Sequence, residues 1–86
     1  MLTETVFKTV RNRVASCLFR LWWRSPEDER ALRVTHQDIA SLVGSTRETT
    51  TAVLHGLRRE GILKMASRQI TVLDPVKLEH IARSNT

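Results

Sequence analysis

The fifteen residues Thr35-His36-Gln37-Asp38-Ile39-Ala40-Ser41-Leu42-Val43-Gly44-Ser45-Thr46-Arg47-Glu48-Thr49 decide how this 86-residue chain reads. Thr35 is a candidate N-cap, and Asp38 stands in the first turn, where an acid suits the helix dipole. Ile39, Leu42 and Val43 are the expected buried side of a short helix over residues 35–43, and Ala40 has little bulk where a neighbouring helix approaches. Gly44 ends that helix. Ser45-Thr46-Arg47-Glu48 then matches a capping-box pattern and opens a second helix over residues 46–60, with Val53, Leu54 and Leu57 inward. Arg47, Glu48, Thr51, His55 and Arg58 recur on or near its outward side. Arg58 and Arg59 fall in the last turn, where positive charge is favoured, and Gly61 is the expected C-cap.

Upstream, residues 3–24 place Val6, Phe7, Val10, Val14, Cys17, Leu18 and Leu21 at the spacing of an amphipathic helix, with Lys8, Arg11, Arg13 and Arg20 on the other face. Trp22 and Trp23 end it, one expected to face the core and the other to lie exposed. Ser25-Pro26 stops the helix, and residues 26–33 read as a charged loop. Downstream of Gly61 the period changes to that of a hairpin over residues 62–73. Its strands are residues 62–65 and 69–73, with Ala66-Ser67-Arg68 between them and positive charge at Lys64 and Arg68. Asp74-Pro75 starts a last helix over residues 75–82, which Val76, Leu78 and Ile81 return to the core. A short helix, a tight Gly-containing turn and a second helix with a polar N-terminus form a helix-turn-helix, whose second helix enters the DNA major groove. The expected fold is therefore mostly α with a small β-hairpin, a winged helix-turn-helix forming one domain over residues 1–86.

The chain is too short for a second domain, and its 41% hydrophobic content is that of a folding sequence. Fourteen Lys and Arg against nine Asp and Glu give a formal charge of +5, which favours an anionic partner such as nucleic acid or an acidic membrane surface. One cysteine, Cys17, cannot form an internal disulfide, and it reads as a small core residue of an intracellular protein. No apolar run approaches the length of about 18 residues that a membrane helix needs. There is no glycine-rich phosphate cradle, nucleophile elbow or metal cluster, so an enzyme is not expected. Glu27, Asp28 and Glu29 read as a solvated turn, and His36, His55 and His80 have no metal-ligand spacing. His55, two helical turns beyond Glu48, is the histidine expected near DNA.

Thr35-His36-Gln37-Asp38-Ile39-Ala40, then Val43-Gly44-Ser45-Thr46-Arg47-Glu48-Thr49, then Leu57-Arg58-Arg59-Glu60-Gly61-Ile62-Leu63 together resemble the C-terminal DNA-binding domain of the CRP/FNR family of bacterial transcription regulators. The likeness covers nearly the whole chain. It implies sequence-specific binding of double-stranded DNA in the cytoplasm, with no cofactor in this domain. Family members usually join this domain to an N-terminal sensor domain through a long dimerisation helix. Neither is expected here, so the chain reads as an excised domain or a natural truncated relative, and the parent's effector is not encoded in it. A palindromic operator, a homodimeric parent, an isolated domain that is monomeric and a meeting with RNA polymerase are further implications.

Carried over by position, the resemblance gives base contacts to Arg47, which reads guanine, and Glu48, which accepts from a cytosine amino group. Arginine's fork independently matches guanine O6 and N7, and a carboxylate faces DNA only where it meets a base donor or orients an arginine. Glu48 has a second reading, as the capping partner of Ser45. Ala52 stands where well-known relatives have a third base-reading arginine; its methyl, or that of Thr51, meets a thymine methyl instead. Thr35, Gln37, Thr46 and Thr49 match phosphate-clamping positions, and Arg68, joined by Lys64, matches the basic wing. The competing function is a protein-docking module that uses the Trp22/Trp23 surface.

Overall fold

Five of the apolar positions read from the first segment place one stripe of a long helix against the three helices that follow. The computed structural model describes residues 2–26 and 31–84, with side chains from residue 9 onward. Helix α1 (Leu2–Arg24) buries Val10, Val14, Ala15, Cys17 and Leu18, while Leu21 and Trp22 pack against the core edge. The side chains of Val6, Phe7 and Lys8 lie outside the described residues, as does the acidic run Glu27, Asp28 and Glu29. Trp23 is 72% exposed, so the tryptophans divide as expected, Trp22 inward and Trp23 outward.

Helices α2 (His36–Val43) and α3 (Arg47–Arg59) both pack on α1 and on each other. The turn between them follows from Gly44, which takes φ 71°, a left-handed conformation that glycine adopts without steric cost. Ser45 N–H then donates back to the Ala40 carbonyl at 3.0 Å, holding α2's end closed. On α2, Ile39 and Ala40 are fully buried and Val43 packs beside them. Leu42 departs from expectation at 64% exposure. Positions i, i+1 and i+4 already form the stripe of this eight-residue helix, and Leu42 falls beyond its edge. On α3 the inward residues are Val53, Leu54 and Leu57, joined by Thr50.

The far end of α3 closes in a Schellman arrangement. Gly61 takes φ 77°, its N–H donates to the Arg58 carbonyl at 3.0 Å, and Ile62 N–H donates to the Leu57 carbonyl at 3.1 Å. The buried Leu57 and Ile62 flank that turn, which leads into the wing. Strands β2 (Leu63–Ala66) and β3 (Gln69–Val72) pair antiparallel with Ala66 opposite Gln69, so Ser67 and Arg68 form the turn. The segment expected as loop over residues 26–33 contains a third strand, β1 (Ala31–Leu32), paired antiparallel with β3 in the order β1-β3-β2. Leu32 and Ile70, opposite each other in that register, are both buried, and this shared burial drives the pairing.

Helix α4 (Pro75–Arg83) starts as read, with Asp74 Oδ1 accepting from Lys77 N–H at 3.0 Å and Pro75 in the first turn. Leu78 is buried and Ile81 and Ala82 pack on the core, one stripe at i, i+3 and i+4. Val76 lies off that stripe and is 76% exposed, contrary to the expectation that it returns inward. The orphan carbonyls at α4's end are met from α1: Asn12 Nδ2 donates to Ile81 O (2.8 Å), Ala82 O (3.2 Å) and Ser84 O, and Ser16 Oγ donates to Ala82 O at 3.3 Å.

Among the described residues, Thr50 Oγ1 is a buried side-chain oxygen with no hydrogen-bond partner, at full burial between α3 and the core. A buried hydroxyl left unpaired costs about 1 kcal/mol or more, and an isosteric methyl has no such cost. Thr50→Val is therefore expected to raise stability by about 1 kcal/mol in urea unfolding, whereas lower stability would mean the hydroxyl is satisfied.

Candidate nucleic-acid interface

The inward stripe of α3 leaves the opposite side of that helix uncovered. Arg47, Glu48, Ala52, Arg58 and Arg59 are exposed there, and Thr51 and His55 are half-buried. The helix opens on Thr46, not on Ser45: Thr46 Oγ1 accepts from Thr49 N–H at 3.2 Å and donates to Thr49 Oγ1 at 3.0 Å. This corrects the expected Ser45/Glu48 capping box. Ser45's amide is committed to closing α2, so α3 begins one residue later and Glu48 is left on the exposed first turn. The reciprocal box belongs to α2 instead, where Thr35 Oγ1 accepts from Asp38 N–H at 3.0 Å and Asp38 Oδ2 accepts from Thr35 N–H at 2.9 Å. The Thr35 amide, and after it the Thr35 hydroxyl, bond the Asp38 carboxylate and hold it below its ordinary pKa. Their contribution to stability is present above the ordinary carboxylate range and lost as pH falls through the lowered value.

Each flank of α3 is held by a different neighbour. Toward α2, His36 Nδ1 lies 3.0 Å from Thr51 Oγ1, and the His36 ring meets the His55 ring edge-on at 6.2 Å. Burial pushes the His36 pKa down, and the nearby His55 and Arg47 push it the same way. Toward α1, Arg11 Nη2 bonds Glu60 at 2.8 Å and 3.0 Å, and its other guanidinium nitrogen comes within 3.9 Å of where a Cβ on Gly56 would stand.

The wing turn comes up beside the start of α2. Arg33, Thr35, Ser67, Arg68 and Gln69 line one open depression of about 380 Å³. Thr35 and Arg68, two of the residues read from sequence, are thus brought together. Gln37 is exposed on α2, with Nε2 3.4 Å from Ser41 Oγ. Lys64 is exposed on β2 opposite Thr71 and does not line the depression. Arg33 was missed by sequence reasoning, which had it inside a charged loop. The signal was available in Leu32-Arg33: an apolar residue followed by a charged one at the end of a strand sends the second side chain outward, and Leu32 is buried while Arg33 is exposed.

Elsewhere, Cys17 is buried and its thiol is pushed up by burial against an opposing effect of Arg20, an inert core thiol. Phe19, Arg20, Trp23, Arg24, Glu79 and Arg83 line a second groove of about 360 Å³ between α1 and α4. Among the described residues no three His, Cys, Asp or Glu side chains gather where they could hold a metal ion, and no helix is long and apolar enough to cross a membrane.

A helix-turn-helix whose second helix is open, followed by a basic hairpin paired to a strand ahead of the motif, defines the class: a winged helix-turn-helix. Residues 12–81 match the model of the Crp-like helix-turn-helix domain, and the chain belongs to the CRP/FNR family of DNA-binding transcription regulators. It is 34% identical over 76 residues to the Cyclic AMP receptor protein of Thermus thermophilus, covering 88% of this chain and 34% of that protein. It is 33% identical over 87 residues to the CRP-like cAMP-activated global transcriptional regulator of Mycobacterium tuberculosis, covering 95% and 39%. The crystal structure of the Thermus thermophilus catabolite activator protein superposes with a TM-score of 0.87 at 33% identity, covering 94% of this chain and 37% of that one. The chain thus spans little more than a third of the length of these relatives. The part of that family which this chain carries is its DNA-binding winged helix-turn-helix domain.

Arg68 turns the wing at φ 57°, a left-handed conformation that costs a side-chain-bearing residue about 1 kcal/mol or more. Arg68→Gly is expected to stabilise the domain by about 0.5 kcal/mol, or at least to leave it unharmed, while weakening DNA binding at moderate salt. Thermal unfolding and anisotropy titration read the two separately; an unfolded variant, or one with undiminished binding, would contradict this division.

Proposed function

We propose that the chain reads double-stranded DNA by laying the first two turns of α3 in the major groove, with the start of α2 and the wing turn on the flanking phosphates. The observation that carries this reading is the common placement of an uncovered α3 face and a depression that joins Arg33 and Thr35 to the wing turn at Arg68. Arg47 presents a two-pronged donor to guanine O6 and N7, and Glu48, free of a capping role, accepts from a cytosine amino group. Both fit one G·C-containing step. Ala52 and the Thr51 methyl offer apolar contact to a thymine, so the half-site departs from one read by a third arginine.

Thr35, Gln37, Thr46 and Thr49 cluster at two helix N-termini, where backbone amides and the dipole already favour anions. The Thr35 hydroxyl accepts its capping bond from the Asp38 amide and also bonds the Asp38 carboxylate, so a phosphate oxygen takes its proton in competition with that carboxylate. Arg33 and Arg68 hold the phosphates across the depression, with Lys64 further along the wing.

One such domain contacts few base pairs, so useful specificity comes from two copies on a palindromic operator, as in a homodimeric parent. Alone, the chain is a monomer that binds weakly and depends heavily on salt. An encounter with RNA polymerase belongs to the same regulatory reading. A second reading, docking of a protein on the tryptophan end, is favoured by the exposure of Trp23 over the α1/α4 groove.

Selection from a random duplex pool tests the main reading. Wild type is expected to enrich a short G·C-containing half-site, Arg47→Ala to lose about 1–3 kcal/mol of discrimination at that step, and Ala52→Arg to add a guanine preference at another. Arg33→Ala should weaken binding evenly across sequences and flatten the dependence of log K on log salt by about 0.9. Enrichment unchanged by Arg47→Ala would move the docking reading to first place.

A further inference from the structure

The flank of α3 that meets α2 carries two histidines which no base or phosphate role so far described requires. His36 occupies the first position of α2, between Thr35 and Gln37, and its Nδ1 is 3.0 Å from the Thr51 hydroxyl. His55 stands one turn beyond Thr51 on α3, with its ring 6.2 Å from that of His36. We propose that His36 and His55 take up protons when the domain binds DNA, His36 as the positioning residue of the Thr51 hydroxyl and His55 as a contact to the DNA backbone. This rests on α3 being the reading helix.

In the free protein burial and two neighbouring cationic or titratable groups oppose a charge on His36. Arg47 and His55 face it from α3, it is partly buried, and the N-terminus of its own helix presents positive dipole. The other ionisable side chain of α2, Asp38, has its carboxylate tied to the Thr35 amide. Around His55, the charged groups on its own helix are Arg58 and Arg59 in the next turn and Arg47 and Glu48 about two turns back. Arg11, the cation that α1 sends toward α3, is neutralised by Glu60. Duplex DNA inverts this balance, because it brings a dense row of phosphates to a face crowded with cations.

Protonation also changes what Thr51 offers. A neutral imidazole nitrogen that accepts from Thr51 Oγ–H uses up the hydroxyl proton and leaves Thr51 an acceptor toward DNA. A charged His36 donates from both ring nitrogens. Its Nδ1–H then bonds the Thr51 oxygen, and the Thr51 proton is released toward DNA, where phosphate oxygens, guanine O6 and N7, and thymine O4 are all acceptors. Starting from the neutral tautomer whose proton is on Nε2, proton uptake and a donating Thr51 accompany each other; the Nδ1–H tautomer already leaves the Thr51 proton free. No group is consumed; the proton comes from solvent and returns on release.

The sign follows directly. Groups whose pKa is higher in the complex strengthen binding below that value, and the gain is lost as pH rises through it. Each proton fully taken up changes affinity about tenfold per pH unit, and each added cation steepens the salt dependence by about 0.9.

The test is an anisotropy titration of the full chain with a duplex that it selects, between pH 8 and pH 6 and at several salt concentrations. The panel is wild type, His36→Gln, His55→Gln, the double variant, Thr51→Val and His80→Gln, each checked for folding by thermal unfolding. Histidine ring-proton NMR titrations of the free and bound chain accompany it. Wild type and His80→Gln should bind about tenfold tighter at pH 6 than at pH 8, with a steeper salt dependence. Each histidine variant should lose part of that gain and the double variant nearly all of it. Thr51→Val should lose the share that belongs to His36, and the His36 and His55 resonances should titrate at higher pH in the complex. Affinity that ignores pH, a pH dependence that survives in the double variant, or resonances that titrate alike free and bound would overturn the proposal. Arg47→Ala on the same duplex separates the two levels: if it keeps the base preference, the reading-helix assignment has failed, and if it loses that preference while pH has no effect, only the histidine proposal has.

Discussion

The turn at Gly44 is the constraint on which the rest of the structure depends. With Gly44 in the left-handed region and the Ser45 amide returned to the Ala40 carbonyl, α2 stops abruptly and α3 departs in a new direction after three residues. A side chain at position 44 would meet open space, so the demand for glycine there comes from the backbone and not from crowding. Because Ser45 is spent on closing α2, Thr46 becomes the cap of α3. That shift of one residue is what sets Arg47 and Glu48 on the first exposed turn, side by side with the start of α2.

The other elements hold that turn in place and extend its reach. Helix α1 supplies a floor for α2, α3 and α4, and closes α4 by lending Asn12 and Ser16 to its last carbonyls. At the far end of α3, the Gly61 turn passes the chain into β2 while Leu57 and Ile62 remain in one core. The sheet then returns β3 to β1, immediately ahead of α2, so the wing turn and the N-terminus of α2 become neighbours although more than thirty residues of chain separate them. Arg33 and Thr35 from one segment and Arg68 from another thereby face one depression. A positively charged surface of this kind is built by sheet pairing as much as by composition.

Most of the fold was legible because its signals are local and strong. Thr35, Gly44, Gly61 and Asp74-Pro75 each specify a helix end through backbone chemistry, and the periods of α1 and α3 are long enough to mark their inward faces. The misreadings share a cause. Leu42 and Val76 are apolar residues in short helices, where one turn more or less of stripe decides exposure and only the packed neighbours settle it. β1 has two paired residues, too few for alternation to register, and exists because Leu32 finds Ile70 across the sheet. Ser45 and Thr46 are both good caps, and the choice between them was made by α2's C-terminus rather than by either side chain. Arg33 went unnoticed for the same reason as β1, since its role depends on a strand invisible in the sequence. The His36–Thr51 pair likewise joins two helices fifteen residues apart and has no sequence signature.

The most direct test of the central claim is to map the backbone amide resonances of the complete chain on adding a duplex recovered by selection. The account predicts that shifts concentrate at residues 47–55, at residues 33–37 and at the Ser67-Arg68 turn, while Phe19, Trp23, Glu79 and Arg83 stay where they were. Shifts gathered at the α1/α4 groove, with the start of α3 unmoved, would contradict it.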